Sequence, residues 1–191
     1  LFEKRPHFKD SLEPAVEALA SILNQHPLEP ELTELKSTLR KLTQSSKYLH
    51  IHHKKSELQV NISSFSYKKG LPEDKSGNGG GFIFDCRSLP NPGRLQEYKE
   101  MTGRDKEVIS YLARHREVDK FLHNVYELCD NAVENYIERE FTNLSINFGC
   151  TGGQHRSVYC ADKLFEHLSA KYVISVKIHH REQGIIDTKK R

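Results

Sequence analysis

The sequence lacks several features that would assign a protein class at once. Its four cysteines form no C-x-x-C pair, and no apolar run approaches the length that spans a membrane. No G-x-x-x-x-G-K-[ST] segment is present, which excludes a P-loop nucleotide site within these residues. No signal peptide precedes the cysteines. We therefore expect a reduced, cytoplasmic, soluble protein with no membrane partner and no cofactor.

The composition fits one main domain. The chain has 191 residues, of which 36% are hydrophobic and 29% charged, so it can bury one sizeable core with a small appendage. The formal net charge of +3 is weak for a whole protein, and the basic residues are unevenly spread. Local patches should therefore matter more than the total charge. Because the chain starts at Leu1 and not at Met, we expect a piece of a longer protein.

Residues 1–57 are predicted to form a helical hairpin and a linker. Leucines recur there at helical spacing on both sides of a break from Pro27 to Pro30. We expect a packing role or, alternatively, a docking element for a fused or partner enzyme. His50, His52 and His53 alternate nearby, but no adjacent cysteine or carboxylate completes a ligand set, so no metal site is predicted.

Residues 58–191 are predicted to form an α/β domain. Polar and apolar residues alternate over Leu58–Phe65, and Phe82–Phe84 is a short apolar run, so both read as strands. Further segments with strand or helix periodicity follow in order: a helix to about His115, a helix to about Arg139, a strand at Leu144–Phe148, a helix at Val158–Leu168 and a last strand at Tyr172–Ile178. The expected fold is a small mixed or mostly parallel sheet flanked by helices.

The segment from Gly149 to Ser157 has the composition of an anion-binding loop. A strand leads into a glycine-rich turn, and the turn opens into a helix. Glycines let backbone N–H groups converge, and a helix start adds unpaired donors and a positive dipole end. Arg156 can direct two N–H groups at one phosphate or carboxylate. The loop therefore predicts a phosphorylated ligand.

A second polar segment follows the apolar run Phe82–Phe84. It begins with Asp85 and Arg87, and Asn91 comes shortly after. In open α/β sheets ligands bind beyond the carboxyl ends of the strands, so we expect the two strand ends to form opposite walls of one cleft. Asp85 could instead cap a turn or pair with Arg87.

The same loop supports a second chemistry. Cys150 and Arg156 have the C-x5-R spacing of cysteine-dependent phosphatases, in which a thiolate attacks phosphorus and the arginine holds the equatorial oxygens. Asp85 would then be the general acid. Gly149, however, stands where those phosphatases usually have a histidine. A catalytic set of Cys150, Asp85 and Arg156 remains the alternative to a non-catalytic binding site.

Four blocks of the sequence resemble, in order, the C-terminal domain of the RapZ family, the RNase adapter proteins of bacteria. The longest, Gly149–Val158, is similar to G-C-T-G-G-[KQ]-H-R-S-V. Ser64–Pro72 is similar to S-F-G-[FY]-K-x-G-[LI]-P, Phe84–Pro92 to F-D-x-R-x-L-P-N-P, and Met101–Gly103 to x-T-G. The resemblance runs from about Leu58 to Arg181.

The resemblance implies a phosphofructokinase-like α/β fold and a metabolite sensor. Its ligand would be an amino-sugar phosphate or a nucleotide-sugar-like compound. Its macromolecular partner would be a small regulatory RNA or an RNase, and the protein would form a homo-oligomer. The ligand-binding residues would be Asp85, Arg87, Asn91, Cys150, Thr151, Gly152, Gly153, Arg156 and Ser157. Two basic segments suit RNA phosphates, and their candidate residues are Lys68, Lys69, Arg181, Lys189, Lys190 and Arg191.

Overall fold

The computed structural model describes residues 56–74, 76–77 and 81–189. The predicted helical hairpin and the segment from His50 to His53 lie outside these residues, as do Lys190 and Arg191.

The described region contains five strands, three α-helices and four short 3-10 helices. The strands are β1 (Gln59–Ser66), β2 (Phe82–Asp85), β3 (Asn143–Cys150), β4 (Ser175–His180) and β5 (Ile185–Lys189). The helices are α1 (Lys106–Ala113), α2 (Arg116–Glu138) and α3 (Arg156–Lys171). The 3-10 helices span Tyr67–Lys69, Cys86–Ser88, Pro92–Arg94 and Gln96–Tyr98.

The strands form one sheet in the order β2-β3-β1-β4-β5. The first four strands in this order pair in parallel, and β5 pairs antiparallel to β4. The predicted α/β class with a mixed, mostly parallel sheet is confirmed. The strand predicted at Leu144–Phe148 lies at the centre of the parallel part, between β1 and β2.

The core lies between the central strands and the helices. Val60 and Ile62 of β1 and Ile146 and Phe148 of β3 are at most 1% exposed, as central strands of a parallel sheet require. Helix α3 packs across β1, β3 and β4, and α2 packs against α3. Burial of each such side chain contributes roughly 1.5–3 kcal/mol to folding.

Helix α2 is the long crossover that returns the chain to β3. Its buried residues recur every three or four positions along one face, namely Val118, Leu122, Val125, Cys129, Val133 and Ile137. Cys129 is fully buried, and burial raises its pKa to about 12. None of the helices in the described region is long and apolar enough to cross a membrane.

The end of the sheet differs from the prediction. Tyr172–Ile178 was expected to be the last strand, followed by a basic tail, but the chain turns at Arg181 and adds β5. Most of β5 is exposed, so its sequence carries no burial pattern from which a strand could be read. Its charged residues Asp187 and Lys189 suit the edge of a sheet, where they discourage pairing with another chain.

Candidate functional site

Two strand ends meet at one edge of the sheet. Strands β2 and β3 are parallel neighbours, and Asp85 at the end of β2 lies opposite Gly149 near the end of β3. The polar segments that follow the two strands therefore leave the sheet side by side. This edge, beyond the carboxyl ends of parallel strands, is where α/β folds bind ligands.

Gly149 has no space for a side chain. A Cβ atom there would lie 2.5 Å from Cζ of Phe65 and 2.5 Å from Cε2 of Tyr67. These two rings pack edge to face, with centroids 4.9 Å apart, over the end of β3. A histidine before Cys150, as in cysteine-dependent phosphatases, would displace this aromatic pair.

The loop between β3 and α3 is braced by the segment from Tyr98 to Gly103. The Gly103 amide donates to the carbonyl of Gln154 at 2.9 Å, and Nε2 of Gln154 donates to the carbonyls of Lys99 (2.9 Å) and Met101 (2.6 Å). His155 Nε2 lies 2.8 Å from the carbonyl oxygen of Tyr98. These bonds hold the loop from one side and leave its other side to the cleft.

Gly103 makes this brace possible because it approaches the start of α3 closely. A Cβ atom there would clash with the carbonyl oxygen of His155 and would lie 2.6 Å from the amide nitrogen of Tyr159. Both obstacles are main-chain atoms, which cannot swing aside as a flexible side chain can. Close packing against the start of α3 thus explains why the Met101–Gly103 block ends in a glycine.

Arg156, the first residue of α3, is the most informative side chain of the site. It is only 5% exposed. Its Nη1 donates to the main-chain carbonyls of Arg87 (2.8 Å) and Leu89 (3.1 Å), which ties the segment after β2 to the start of the helix. Its Nε is buried and has no hydrogen-bond partner among the described residues. The guanidinium therefore lies in the wall of the cleft, and its buried Nε donor is unused.

Asp85 and Arg87 form a bidentate pair. Arg87 donates from Nε to Asp85 Oδ1 at 2.9 Å and from Nη2 to Oδ2 at 2.6 Å, and its guanidinium lies 4.0 Å from the centroid of the Tyr67 ring. The hydrogen bond from Arg87 holds the pKa of Asp85 below its usual value. A carboxyl group that stays ionised at neutral pH is poorly suited to act as a general acid.

Cys150 is buried at the foot of the loop. It is 3% exposed, and its Sγ lies 3.1 Å from Oγ of Ser157, which is itself fully buried. The thiol therefore contacts a hydroxyl group. Nη1 of Arg156 donates to the carbonyl oxygens of Arg87 and Leu89 and not to the thiol.

Two adjoining cavities lie along this edge. The larger, of about 430 Å³, is lined by residues that include Arg87, Asn91, Arg94, Glu117, Thr151 and Arg156. The smaller, of about 220 Å³, is lined by residues that include Lys68, Asn91, Lys99, Thr151, Gly152 and Arg156. Asn91, Thr151 and Arg156 line both cavities, which therefore adjoin as parts of one cleft.

Most of the predicted ligand-binding residues meet at these cavities, and others lie behind them. Cys150 also lines the smaller cavity. Asp85, Gly153 and Ser157 line neither of the two. Asp85 orients Arg87, and Ser157 contacts the Cys150 thiol.

Several lining residues were absent from the predicted ligand site. They are Lys68, which was assigned to RNA, and Ser88, Leu89, Pro90, Gly93, Arg94, Lys99, Glu117, Gln154 and His155. Glu117, Arg94 and Lys99 are exposed residues in segments without a motif of their own. The block match to G-C-T-G-G-[KQ]-H-R-S-V could have suggested Gln154 and His155, since both lie inside it.

Among the described residues proposed for RNA, Lys69 and Arg181 are not free cations. Lys69 and Arg181 both pair with Glu182, whose Oε1 also accepts the Ser66 amide at 3.1 Å. Burial alone would raise the pKa of Glu182, but the bonds from Lys69 and Arg181 outweigh it and lower the pKa. Lys189 is exposed at the end of β5.

No group of three or more His, Cys, Asp or Glu residues in the described part of the chain could hold a metal ion. The site therefore presents cations, amides and a carboxamide, without a metal-ligating cluster.

The domain is thus an α/β domain with a cationic, glycine-lined cleft at the ends of parallel strands, the position at which open α/β sheets bind ligands. The RapZ C-terminal domain family matches residues 58–184, and the chain belongs to this family. The resemblance found in the four sequence blocks is thereby confirmed.

Curated relatives extend the same result. A "Nucleotide-binding protein" of Histophilus somni is 36% identical over 173 residues, which cover 91% of this chain and 55% of that protein. Proteins with the same name are 36% identical over 132 residues in Hahella chejuensis and 40% identical over 125 residues in Thermotoga neapolitana, covering 69% and 65% of this chain and 44% and 42% of those proteins. The chain thus spans about half the length of these relatives.

Proposed function

We propose that residues 58–191 form a domain that binds a phosphorylated metabolite without turning it over. The ligand is an amino-sugar phosphate or a nucleotide-sugar-like compound, and it occupies the cavities beside the Thr151–Arg156 loop. The observation that carries this proposal is Arg156. Within the part of the chain that the structure describes, this guanidinium is buried, has an unused Nε donor and pairs with no carboxylate, and its place at a helix start beside a cavity suits an anion.

The cations around the cavities support the same ligand chemistry. Arg94, Lys68 and Lys99 line the cavities, and none of them forms an ion pair with a residue that the structure describes. The names of the relatives, which are nucleotide-binding proteins, agree with a ligand that contains phosphate. A role as a metabolite sensor is the further step of this proposal and rests on membership in the RapZ C-terminal domain family.

Calorimetric titration of the whole chain tests the proposal. We expect glucosamine 6-phosphate or uridine diphosphate N-acetylglucosamine to bind at least about 30-fold more tightly than glucosamine, because the phosphate makes charge-assisted bonds worth about 1.5–3 kcal/mol each. Arg156→Gln should remove most of that difference. Arg139→Gln, a change of an exposed arginine whose guanidinium lies over the Phe141 ring, is the matched control and should bind like the wild type. If neither phosphorylated compound binds, the proposal is wrong.

The phosphatase alternative receives less support from the geometry. Its nucleophile, Cys150, would be buried against Ser157, its arginine would hold carbonyl oxygens, and its acid, Asp85, would be ionised and paired with Arg87. Hydrolysis of p-nitrophenyl phosphate at pH 6 to 7 that disappears in Cys150→Ser would establish a phosphatase and overturn the non-catalytic proposal.

An RNA-adapter role is the second part of the proposal, and the exposed cations Lys68 and Lys189 support it. Neutralising phosphates releases counterions, so the affinity for a structured RNA should fall with added salt. Lys189→Gln should weaken RNA binding and flatten its salt dependence, whereas Lys106→Gln, at an exposed lysine that begins α1, should not. An RNA affinity that is independent of salt would count against this role.

A further inference from the structure

The cleft contains a single carboxylate among several cations. Of the described residues that line the two adjoining cavities, only Glu117 carries a negative charge, and it lines the larger cavity. Arg87, Arg94 and Arg156 line the same cavity. A carboxylate beside a phosphate weakens binding of the phosphate, because like charges repel. A site built for an anion alone would therefore be better without Glu117.

Glu117 has no charged partner in the described part of the chain. Its side chain is exposed and forms no ion pair with a residue that the structure describes. Asp85, the nearby carboxylate at the end of β2, is instead held by Arg87, with Nη2 and Oδ2 2.6 Å apart. The Glu117 carboxylate is thus available to a cationic group that enters the larger cavity.

The position of Glu117 in α2 gives a second reason for an acidic residue. Helix α2 begins at Arg116, and a carboxylate in the first turn interacts favourably with the positive end of the helix dipole. Asp119 lies in the same turn and has the same effect, but it lines neither cavity. The dipole therefore accounts for acidic residues in this turn, whereas contact with the cavity distinguishes Glu117 from Asp119.

The groups proposed to bind phosphate leave room for the rest of a ligand. Arg156 and Thr151 line both cavities, and Gly152 lines the smaller one, which Glu117 does not reach. The larger cavity, of about 430 Å³, is within the range of roughly 300–1,000 Å³ typical of small-molecule sites. A sugar ring whose phosphate is bound by Arg156 can therefore occupy the cavity that Glu117 lines.

We propose that Glu117 determines the specificity of the cleft, because its carboxylate pairs with the ammonium group of an amino-sugar phosphate whose phosphate binds Arg156. This inference rests on the proposed function and selects, from its two ligand classes, the one with a free amine. The carboxylate accepts N–H bonds from the ammonium group, and it repels sugar phosphates that have no cationic group. Glu117 thus contributes to discrimination between ligands more than to affinity for phosphate.

Calorimetric titration of the whole chain with two ligands that differ in one group tests the proposal. Glucosamine 6-phosphate has an amine where glucose 6-phosphate has a hydroxyl group. We expect the wild type to bind glucosamine 6-phosphate about 10-fold more tightly, because a hydrogen bond between charged groups is stronger than a neutral one and the exposure of Glu117 reduces this gain. Equal affinities for the two compounds would overturn the proposal.

Two variants separate contact with the ligand from a general effect of charge. Glu117→Gln removes the charge and keeps the length of the side chain. It should weaken binding of glucosamine 6-phosphate about 5- to 10-fold, and binding of glucose 6-phosphate should stay equal or become slightly tighter, since a repelling charge is lost. Damage to the site as a whole would weaken binding of both compounds and would contradict the assigned role.

Asp119→Asn is the matched control. It removes a negative charge from the same exposed helical turn without changing the lining of either cavity. The ratio of the two affinities should stay within about 2-fold of the wild-type value. If Asp119→Asn lowers this ratio as much as Glu117→Gln does, the preference comes from the charge of the helix end and the proposal is wrong.

The outcomes also distinguish this inference from the function on which it rests. If both hexose phosphates bind through Arg156 with no preference for the amine, the proposed function stands and the role of Glu117 is overturned. Tighter binding of uridine diphosphate N-acetylglucosamine, whose acetylated nitrogen is uncharged, than of glucosamine 6-phosphate has the same meaning. Absence of binding for every phosphorylated probe would overturn both.

Discussion

Two arginines near the start of α3 have opposite surroundings. Arg104 donates to Asp162 of α3 through Nε (3.0 Å) and Nη2 (2.9 Å), and to Asp187 of β5 through Nη2 at 2.6 Å. Arg156 has no carboxylate partner among the described residues and reaches only carbonyl oxygens through Nη1. The first charge is balanced within the fold, and the second is not.

Under the proposed function, the difference separates a structural arginine from the one assigned to the ligand. The Arg104 side chain is 34% exposed and still has two acidic partners, whereas Arg156 is 5% exposed and has none. Because a buried unpaired charge is costly, a fold would keep one where it serves another purpose. Charge balance, more than burial alone, is thus the reason for assigning Arg156 to the proposed ligand.

The Arg104 cluster also reaches into the core. Asp162 lies 3.3 Å from Nε2 of His180, and Nδ1 of that histidine lies 2.8 Å from Oγ of Ser64. Ser64 and His180 are fully buried. Burial would raise the pKa of Asp162, but its bonds to His180 and Arg104 outweigh this effect and lower it. This cluster joins α3, β4, β5 and β1, so its role is to hold the sheet together.

The largest effect on stability should come from Gly103→Ala. Gly103 directly precedes Arg104 and packs against the start of α3, where Arg156 lies. The added methyl group would clash with main-chain atoms of His155 and Tyr159. We expect the free energy of unfolding to fall by about 3 kcal/mol in urea denaturation. Gly152→Ala, where nothing lies within 4 Å of the new Cβ, should change it by less than about 0.5 kcal/mol. Equal stability of the two variants would contradict this account.

The next effect concerns binding. Arg156→Gln should lower the affinity for glucosamine 6-phosphate or uridine diphosphate N-acetylglucosamine by about 30- to 100-fold in calorimetry. Its free energy of unfolding without ligand should change by less than about 1 kcal/mol, since the loss of two bonds to carbonyls is offset by removal of an unpaired buried charge. A large loss of stability with unchanged affinity would reverse the roles assigned to the two arginines.

Arg104→Gln should show the opposite pattern. Loss of its bonds to Asp162 and Asp187 should lower the free energy of unfolding by about 1–2 kcal/mol, a value reduced by the partial exposure of the pair. The affinity for the phosphorylated probe should stay within about 2-fold of wild type. Thermal denaturation and calorimetry on the same preparation measure the stability and the affinity. Weakened binding would show that Arg104 also contributes to the ligand site.

A smaller, pH-dependent effect is expected for Glu182, which pairs with Lys69 and Arg181. Its folded pKa is below the usual 4.5, so its stabilisation is complete above that pH and is lost as the pH falls through the folded pKa. Glu182→Gln should therefore cost about 1 kcal/mol at pH 7, and this difference should shrink below pH 4.5. Denaturation curves that stay equally separated down to pH 2.5 would argue against a role for the charge.

The smallest effect is expected for Cys150→Ser. Serine keeps a hydrogen-bonding group beside Ser157 Oγ, so we expect the affinity for the phosphorylated probe to stay within about 2-fold of wild type. Neither protein should hydrolyse p-nitrophenyl phosphate. If the wild type alone hydrolysed this compound, the Cys150 thiol would be the functional group of the site in place of Arg156.

The sequence predicts β1 and β3 well because these central strands are buried, and the apolar run of β2 marks that strand although it lies at an edge of the sheet. Alternation or apolar runs mark β1 and β2, and helical spacing marks the buried face of α2. The exposed edge strand β5 leaves no such signal, since no core face selects its residues. Local periodicity reports burial, and an edge strand has little of it.

The candidate site is predictable in its residues and less so in their contacts. The motif places Arg156 at the helix start, but its bonds to the carbonyls of Arg87 and Leu89 join positions far apart in sequence. The same holds for Arg94 and Glu117, which reach the cavity from separate segments. Such contacts depend on the assembled fold, so a spacing rule read along one loop cannot supply them.

Gln154 donates to the carbonyls of Lys99 and Met101, so the cleft is assembled from segments that are separate in sequence. A peptide copied from the Gly149–Ser157 loop would have no such partners and should bind phosphate weakly. In the intact domain, occupancy of the cleft would hold these segments together. A ligand at 100 times its Kd would add about 2.7 kcal/mol to the free energy of unfolding. Metabolite supply would then also govern how long the protein resists proteolysis.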